Sequence, residues 1–110
     1  MRNGFIYPSP ELIKYQNNEI NLYNPHLSDL FTLGLVLLEV FYMANMDCVY
    51  EKLFEQVNYE AIWVKLNPIK NQGLRKKLFT LLDPEPKNRE MIFKQYLKPI
   101  SLEVFNQKSK

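Results

Sequence analysis

The stretch SDLFTLGLVLLEVFYMA, from Ser28 to Ala44, decides the fold of this chain. Its apolar side chains would point in every direction around a helix, and a helix that is apolar all round is expected to be buried all round. A strand of this length would not fit a domain of this size, so we predict a central buried helix capped by Ser28 or Asp29. The longest apolar run, Leu30 to Ala44, is shorter than the roughly 20 residues of a membrane span. It also contains Glu39, so we expect no membrane insertion.

A short helix is predicted before the central one. Ser9 can cap the free N–H groups of a helix, Pro10 suits the first helical position, and Glu11 favours the positive end of the helix dipole. We expect this helix to run to about Gln16 and a polar loop to follow it as far as Pro25.

Further helices are predicted after the central one. The patterns indicate a helix that begins at Asp47, a short helix over 59–66, a leucine-striped helix, and a last helix over 89–98. We predict an all-α fold in which about four shorter helices pack on one central helix, as a single domain over residues 1–98 with a tail over 99–110. The expected inward-facing residues are Tyr50, Leu53, Phe54 and Val57 in the first of these helices, and Leu74, Leu78, Leu81 and Leu82 in the leucine-striped one.

Composition places the chain among ordinary globular domains. Of its 110 residues, 46% are hydrophobic and 24% are charged. A formal net charge of +2 is too small to indicate nucleic acid or an anionic membrane as a partner. The N-terminal MRNGFIYPSP lacks an apolar core of secretory length, and the single Cys48 forms no internal disulfide. We therefore expect an intracellular, cytoplasmic protein.

Residues for metal or nucleophilic chemistry are scarce. His26 and Cys48 are the only histidine and cysteine, and the sequence has no glycine-rich phosphate loop. We interpret Cys48 as a small hydrophobic residue and His26 as a loop residue, and we predict no metal site and no catalytic residue. The basic cluster from Arg75 to Lys77 is interpreted as a solvated helix face.

Three separated segments carry a resemblance to a known family. They are GFIYPSPELI (residues 4–13), SDLFTLGLVLLEV (28–40) and LFTLLDPEPKNRE (78–90). In this order they resemble the S-P-E end of a kinase activation segment, the S-D-x-W-S-L-G start of a kinase central helix, and the L-x-x-D-P-x-x-R segment between its last two helices. Together they resemble the C-terminal lobe of a eukaryotic protein kinase domain of the Ser/Thr type. The chain departs from the pattern at Phe31, where the family has tryptophan, and is one residue short before Tyr7.

The resemblance implies roles for several residues. Glu11 and Arg89 match a glutamate and an arginine that form an ion pair. Asp29 matches an aspartate that anchors the central helix to the backbone of the catalytic loop. Glu39 matches a position that some kinases use to recognise basic substrate residues, and a solvated or structural role for it is equally open. The other candidate residues of a substrate-binding loop are Tyr7 and Ser9.

The catalytic motifs of the family are missing from this sequence. Phosphoryl transfer by a protein kinase needs a glycine-rich loop, a phosphate-binding lysine, H-R-D-x-x-x-x-N and D-F-G. The 110 residues contain none of them. We therefore expect a fragment of a kinase that is inactive on its own, with no cofactor bound, whose parent uses ATP and Mg²⁺.

Two alternatives stay open. The chain is a non-catalytic, pseudokinase-like module that binds proteins, or it is an unrelated helical protein whose motifs coincide by chance. If it is kinase-related, the side of the central helix that faces the catalytic loop is expected to be open. Leaving several apolar side chains in water there would lower the stability of the fold by several kcal/mol, at about 25 cal/mol per Å² of apolar surface. We then expect the isolated chain to be marginally stable or to self-associate. Its partner is expected to be the missing N-terminal part of the kinase domain or another protein.

Overall fold

The structure is a computed structural model, and it describes residues 7–51 and 56–92. Most of these residues are helical. In chain order the elements are α1 (Pro10–Gln16), α2 (Pro25–Tyr42), a 3-10 helix (Asp47–Val49), β1 (Tyr50–Glu51), β2 (Gln56–Val57), α3 (Tyr59–Leu66), α4 (Gln72–Leu81) and α5 (Pro86–Arg89).

Helix α1 has the boundaries that its sequence predicts. The Oγ of Ser9 accepts a hydrogen bond from the N–H of Leu12 at 3.1 Å, and Pro10 occupies the first turn. The helix ends at Gln16, and a left-handed residue, Asn18, turns the chain away with a φ of 62°. The local capping chemistry is sufficient to explain this element.

Helix α2 is capped by Asn24, four residues before Ser28 and five before Asp29, the two predicted caps. The side chain of Asn24 accepts hydrogen bonds from the N–H groups of His26 and Leu27, and Pro25 follows in the first turn. The prediction that Ser28 or Asp29 caps this helix is therefore wrong, because the Asn-Pro pair already supplies both start signals. His26 lies in the first turn of α2, not in the loop where it was expected.

One face of α2 is buried and another is open. Phe31, Leu35 and Leu38 are fully buried, and α2 contacts α1, α4 and α5. Side chains on another face stay exposed, so the prediction of burial all round is wrong, because three neighbouring helices do not enclose a fourth. We call this face the α2 stripe, and it consists of Leu33, Leu37, Val40 and Phe41.

The length and apolar composition of α2 would also allow it to cross a membrane. By these two criteria it is a candidate span, with 33% of the 18-residue window buried inside the fold. Length and composition alone are weak support, since core helices of soluble proteins meet the same criteria.

Residues 47–51 and 56–57 do not form the predicted helix. A single 3-10 turn covers Asp47–Val49, and two short antiparallel strands follow, with Tyr50 opposite Val57. The extended backbone allows the hydroxyl of Tyr50 to donate to the carbonyl of Pro8 at 2.8 Å, a contact that no local pattern indicates. Cys48, interpreted from the sequence as a small hydrophobic residue, is exposed. Leu53 and Phe54 lie outside the described residues.

The three remaining helices close the core. Asn58 caps α3 and Asn71 caps α4, each through its side-chain oxygen. In α4 the predicted leucine stripe is confirmed, with Leu78 and Leu81 buried. Helix α5 ends at Arg89, where the last helix was predicted to begin. Met91 and Ile92 are helical again, and residues 93–98 and the tail lie outside the described residues.

Helices α2 and α4 meet at a glycine. A Cβ atom on Gly34 would lie 2.8 Å from Cγ and Cδ2 of Leu82 and 3.1 Å from Cβ of Leu81. These separations are shorter than ordinary van der Waals contact, so only glycine lets the leucines approach α2 this closely.

Candidate functional site

Arg89 and Glu11 form a buried ion pair. Arg89 ends α5 and is fully buried, and Glu11 lies in the first turn of α1 and is 7% exposed. Nη1 of Arg89 lies 2.5 Å from Oε2 of Glu11, and Nη2 lies 2.9 Å from Oε1. The structure thus brings together the two residues that the family resemblance pairs.

Arg89 uses every N–H donor of its guanidinium group. Nε donates to the carbonyl of Asp83 at 2.8 Å. Besides Glu11, Nη1 donates to the carbonyl of Leu27 at 2.9 Å, and Nη2 donates to the carbonyl of Pro84 at 3.4 Å. Together with Glu11 these acceptors satisfy all five donors of an arginine. The side chain joins α1, the start of α2 and the turn before α5, and it has no donor left for a ligand.

The ring of Phe31 lies beside the same guanidinium group. The Cζ atom of Arg89 is 5.1 Å from the centroid of this ring, within the range of a cation–π contact. Phe31 occupies the position where the kinase pattern has tryptophan, and it is fully buried. Phenylalanine therefore supplies an aromatic face to the buried arginine.

Tyr7 and Glu39 form a second polar contact. The hydroxyl of Tyr7 donates to the carboxylate of Glu39 and accepts the N–H of Met46 at 2.8 Å. The side chain is 1% exposed. Burial, and next the hydrogen bond to the Glu39 carboxylate, raise the pKa of Tyr7 to about 12. The phenol therefore stays neutral and keeps its hydrogen bonds at ordinary pH.

Two further residues, Thr32 and Tyr50, contact Tyr7. Thr32 donates its hydroxyl to the carbonyl of Tyr7 at 2.7 Å, and the rings of Tyr7 and Tyr50 stack with centroids 6.2 Å apart. Because Tyr50 also donates to the carbonyl of Pro8, the backbone of Tyr7 and Pro8 is bound both to α2 and to β1. Sequence reasoning missed Thr32 and Tyr50, since both contacts span long separations along the chain.

Ser9 is a structural residue in this arrangement. It is fully buried, and its Oγ lies 2.7 Å from Oγ of Ser28 in α2 while it also caps α1. Both roles occupy the hydroxyl inside the fold. A direct contact between Ser9 and a substrate is therefore incompatible with this geometry.

Of the three candidate substrate-loop residues, Glu39 is the one that reaches the surface. It is half-buried and lines an open depression of about 580 Å³ at the end of α2. Val40, Met43, Ala44 and Asn45 line the same depression. A carboxylate beside apolar surface can hold a basic side chain by its charge and the aliphatic part of that side chain by contact.

Asp29 is exposed, on the side of α2 that carries the α2 stripe. Within residues 7–51 and 56–92, the structure shows no hydrogen bond or ion pair to its carboxylate. The acceptor expected to anchor α2 thus faces solvent. Its position, four residues before Leu33, places it in line with the apolar stripe along the helix.

A second depression, of about 420 Å³, lies between α1 and β2. Its walls include Ile13, Lys14, Gln56 and Tyr59. Burial raises the pKa of Tyr59, so its phenol is neutral there at ordinary pH. In the described part of the chain, no group of three or more His, Cys, Asp or Glu side chains is placed to hold a metal ion.

Comparison of the chain with protein-family models, with curated proteins and with solved structures finds no match. The functional assignment below therefore depends on the residue pattern and on the geometry described above.

Proposed function

We propose that this chain is part of the C-terminal lobe of a Ser/Thr-type protein kinase domain, without the residues that bind ATP and transfer phosphate. The observation that carries this proposal is the bidentate pair of Arg89 with Glu11, across 78 residues. In the family pattern the same glutamate of S-P-E and the same arginine after D-P are partners. A coincidence of motifs in an unrelated helical protein would give no reason for these two side chains to meet.

Two further observations support the proposal. The carboxylate of Glu39 accepts a hydrogen bond from the hydroxyl of Tyr7, and this bond joins the residue just before P-S-P-E to the central helix. Asp29 and the α2 stripe lie on one open side of that helix. In the family the aspartate at this position faces the catalytic loop, so the open side is where the rest of a kinase domain would lie.

The proposal divides the activity between this chain and residues outside it. The parent activity is ATP-dependent phosphorylation of protein serine and threonine, and ATP and Mg²⁺ would be bound by motifs absent from the 110 residues. The contribution of this chain is the helical platform, with the carboxylate of Glu39 as its candidate contact to a basic substrate residue.

Mapping the 5′ end of the transcript tests this proposal. We expect an in-frame extension that encodes H-R-D-x-x-x-x-N and D-F-G, and we expect the extended protein to phosphorylate a Ser/Thr peptide with Mg–ATP. A matched Glu39→Gln form should lose activity more strongly toward basic peptides than toward neutral ones. An upstream region without these motifs, in any transcript, would refute the assignment to an active parent.

The α2 stripe favours a second candidate function, a non-catalytic module that binds proteins. Apolar patches of this kind on a monomer frequently mark sites of protein interaction. In a pulldown with the 110-residue chain, one protein partner recovered in stoichiometric amount by wild type and lost with Val40→Lys would support it. Recovery of chaperones alone by both forms would contradict it.

A further inference from the structure

We propose that the α2 stripe pairs two copies of this chain as an antiparallel helix dimer. The inference goes beyond the proposed function, because it concerns the 110-residue chain alone. The dimer is expected for the 110-residue chain whether or not a longer kinase domain exists. Transcript mapping therefore tests the proposed function, and sedimentation and cross-linking of this chain test the dimer.

The stripe has the geometry of a helix-packing seam. Its four residues follow the spacing i, i+4, i+7 and i+8, which places them on one side of α2. Their exposed fractions are 46% for Leu33, 39% for Leu37, 69% for Val40 and 49% for Phe41. Met43, at 92%, extends the apolar surface beyond the end of the helix. Such side chains form the ridges and grooves by which helices pack at about 8–10 Å.

The area is sufficient for a weak, specific dimer. We estimate on the order of 500 Å² of exposed apolar surface per chain, which is within the range of patches that are often functional. Two copies would bury about 1,000 Å² before any polar rim is counted, which is near the lower limit for a specific interface. Because an interface of this size is at the small end of specific interfaces, we expect weak association.

The charges of α2 favour a second copy over other occupants. Helix α2 contains no lysine or arginine, and no charged residue lies between Asp29 and Glu39. An uncharged apolar seam is complementary to itself, as an isologous interface requires. It lacks the basic residues that usually accompany amphipathic helices at membrane surfaces. The four residues of the stripe carry no charge that would attract a strongly acidic or basic partner.

Asp29 selects the antiparallel arrangement. In a parallel pair the two Asp29 carboxylates would face each other at one end of the seam. In an antiparallel pair centred on Leu37 they lie roughly 24 Å apart along the axis, at about 1.5 Å per residue. This separation exceeds the Debye length of about 8 Å at physiological ionic strength, so the repulsion is screened. The arrangement also places Phe41 of one copy opposite Leu33 of the other.

Sedimentation equilibrium of the whole chain, from about 1 to about 200 µM, tests the dimer against a matched control. Val40→Lys is the test, and Val64→Lys on α3 is the control. The two valines are 69% and 68% exposed, and each lies two residues before the end of its helix. We expect a monomer–dimer equilibrium for wild type and Val64→Lys, and at least about tenfold weaker association for Val40→Lys. Circular dichroism confirms that both variants remain helical.

Cross-linking tests the orientation in a Cys48→Ser background. An equimolar mixture of Leu33→Cys and Phe41→Cys chains is expected to form the mixed disulfide faster than either chain forms its own. Faster formation of the two self-pairs would overturn the antiparallel arrangement. Wild type that stays monomeric up to about 200 µM, or equal weakening by both lysine variants, would overturn the dimer. Sedimentation of wild type but not Val40→Lys with phosphatidylcholine vesicles would assign the stripe to a membrane and overturn it as well.

Discussion

Arg89 forms a bidentate ion pair with Glu11, 78 residues earlier in the chain, through its Nη1 and Nη2 atoms. No solvent reaches Arg89, and the fold satisfies all of its N–H donors. The pair therefore joins the beginning of the described structure to its last helix. Its role is structural, because Arg89 is fully buried and has no N–H donor left for a ligand.

We expect Arg89→Ala to destabilise the fold by about 3–5 kcal/mol, because it leaves the Glu11 carboxylate buried without its partner. Arg89→Lys retains the charge but loses the planar fork, so we expect a smaller loss in the same direction. Urea unfolding followed by circular dichroism measures both. Lys87→Ala, an exposed residue of the same helix, is the control and should change stability by no more than about 0.5 kcal/mol. A loss below about 1 kcal/mol for Arg89→Ala would contradict the structural role.

Gly34→Ala and Gly73→Ala are expected to act in opposite directions. A Cβ on Gly34 would meet Leu82 at 2.8 Å, so we expect a net loss of about 1–3 kcal/mol from overpacking. A Cβ on Gly73 in α4 would meet only Asn71, at 3.4 Å, so the higher helix propensity of alanine should add up to about 1 kcal/mol. Thermal unfolding of the two variants compares them directly. Equal stabilisation by both would show that α4 does not contact α2 at Gly34.

Tyr7→Phe is expected to cost about 1–3 kcal/mol at neutral pH, because it leaves the N–H of Met46 without its acceptor and Glu39 without its donor. Tyr15→Phe, which removes an exposed hydroxyl, should change stability by no more than about 0.5 kcal/mol at neutral pH.

The stabilisation by Tyr7 should also depend on pH. Its native pKa, about 12, lies above the ordinary value of 10.0, so its contribution is fully present below pH 10 and is lost as pH rises toward 12. The difference in unfolding free energy between wild type and Tyr7→Phe should therefore narrow over this range. A difference that widens toward pH 12 would contradict burial of the neutral phenol.

Ser28→Ala and Asp29→Ala separate the buried from the exposed side of α2. Ser28 shares a hydrogen bond with Ser9 in the interior, so its loss should cost about 1 kcal/mol. Asp29 is exposed, so Asp29→Ala should stay within about 0.5 kcal/mol in this chain. Chemical unfolding of both variants provides the measurement. A larger loss for Asp29→Ala than for Ser28→Ala would mean that the carboxylate anchors the helix within these residues.

Much of the helical structure is predictable because the signals are local. Ser9, Pro10 and Glu11 define the start of α1 within one turn, and the leucine spacing of α4 defines its buried face. The Asn-Pro start of α2 was also present in the sequence, and it was missed because Ser28 and Asp29 offered a second, equally ordinary cap.

The candidate site was predictable only in part. The pattern of motifs predicted the ion pair of Glu11 with Arg89, and it indicated Tyr7 and Glu39 as candidate site residues. It gave no sign that Ser9 is buried, that Tyr50 bonds Pro8, or that Thr32 bonds the Tyr7 carbonyl. Thr32 lies 25 positions after Tyr7, and Tyr50 lies 42 positions after Pro8. The periodicity of a helix or strand does not predict contacts over such separations.

The sequence by itself determined the helical segments with clear caps and periodicity, because capping and amphipathic spacing act within a turn or two of backbone. It also determined which side chains were available to form the buried ion pair. Only the tertiary structure decided that residues 47–51 turn and extend, that residues 56–57 are extended, that Cys48 is exposed, and that α2 keeps one apolar side open. Burial is a property of what packs against a residue, and those neighbours come from distant parts of the chain.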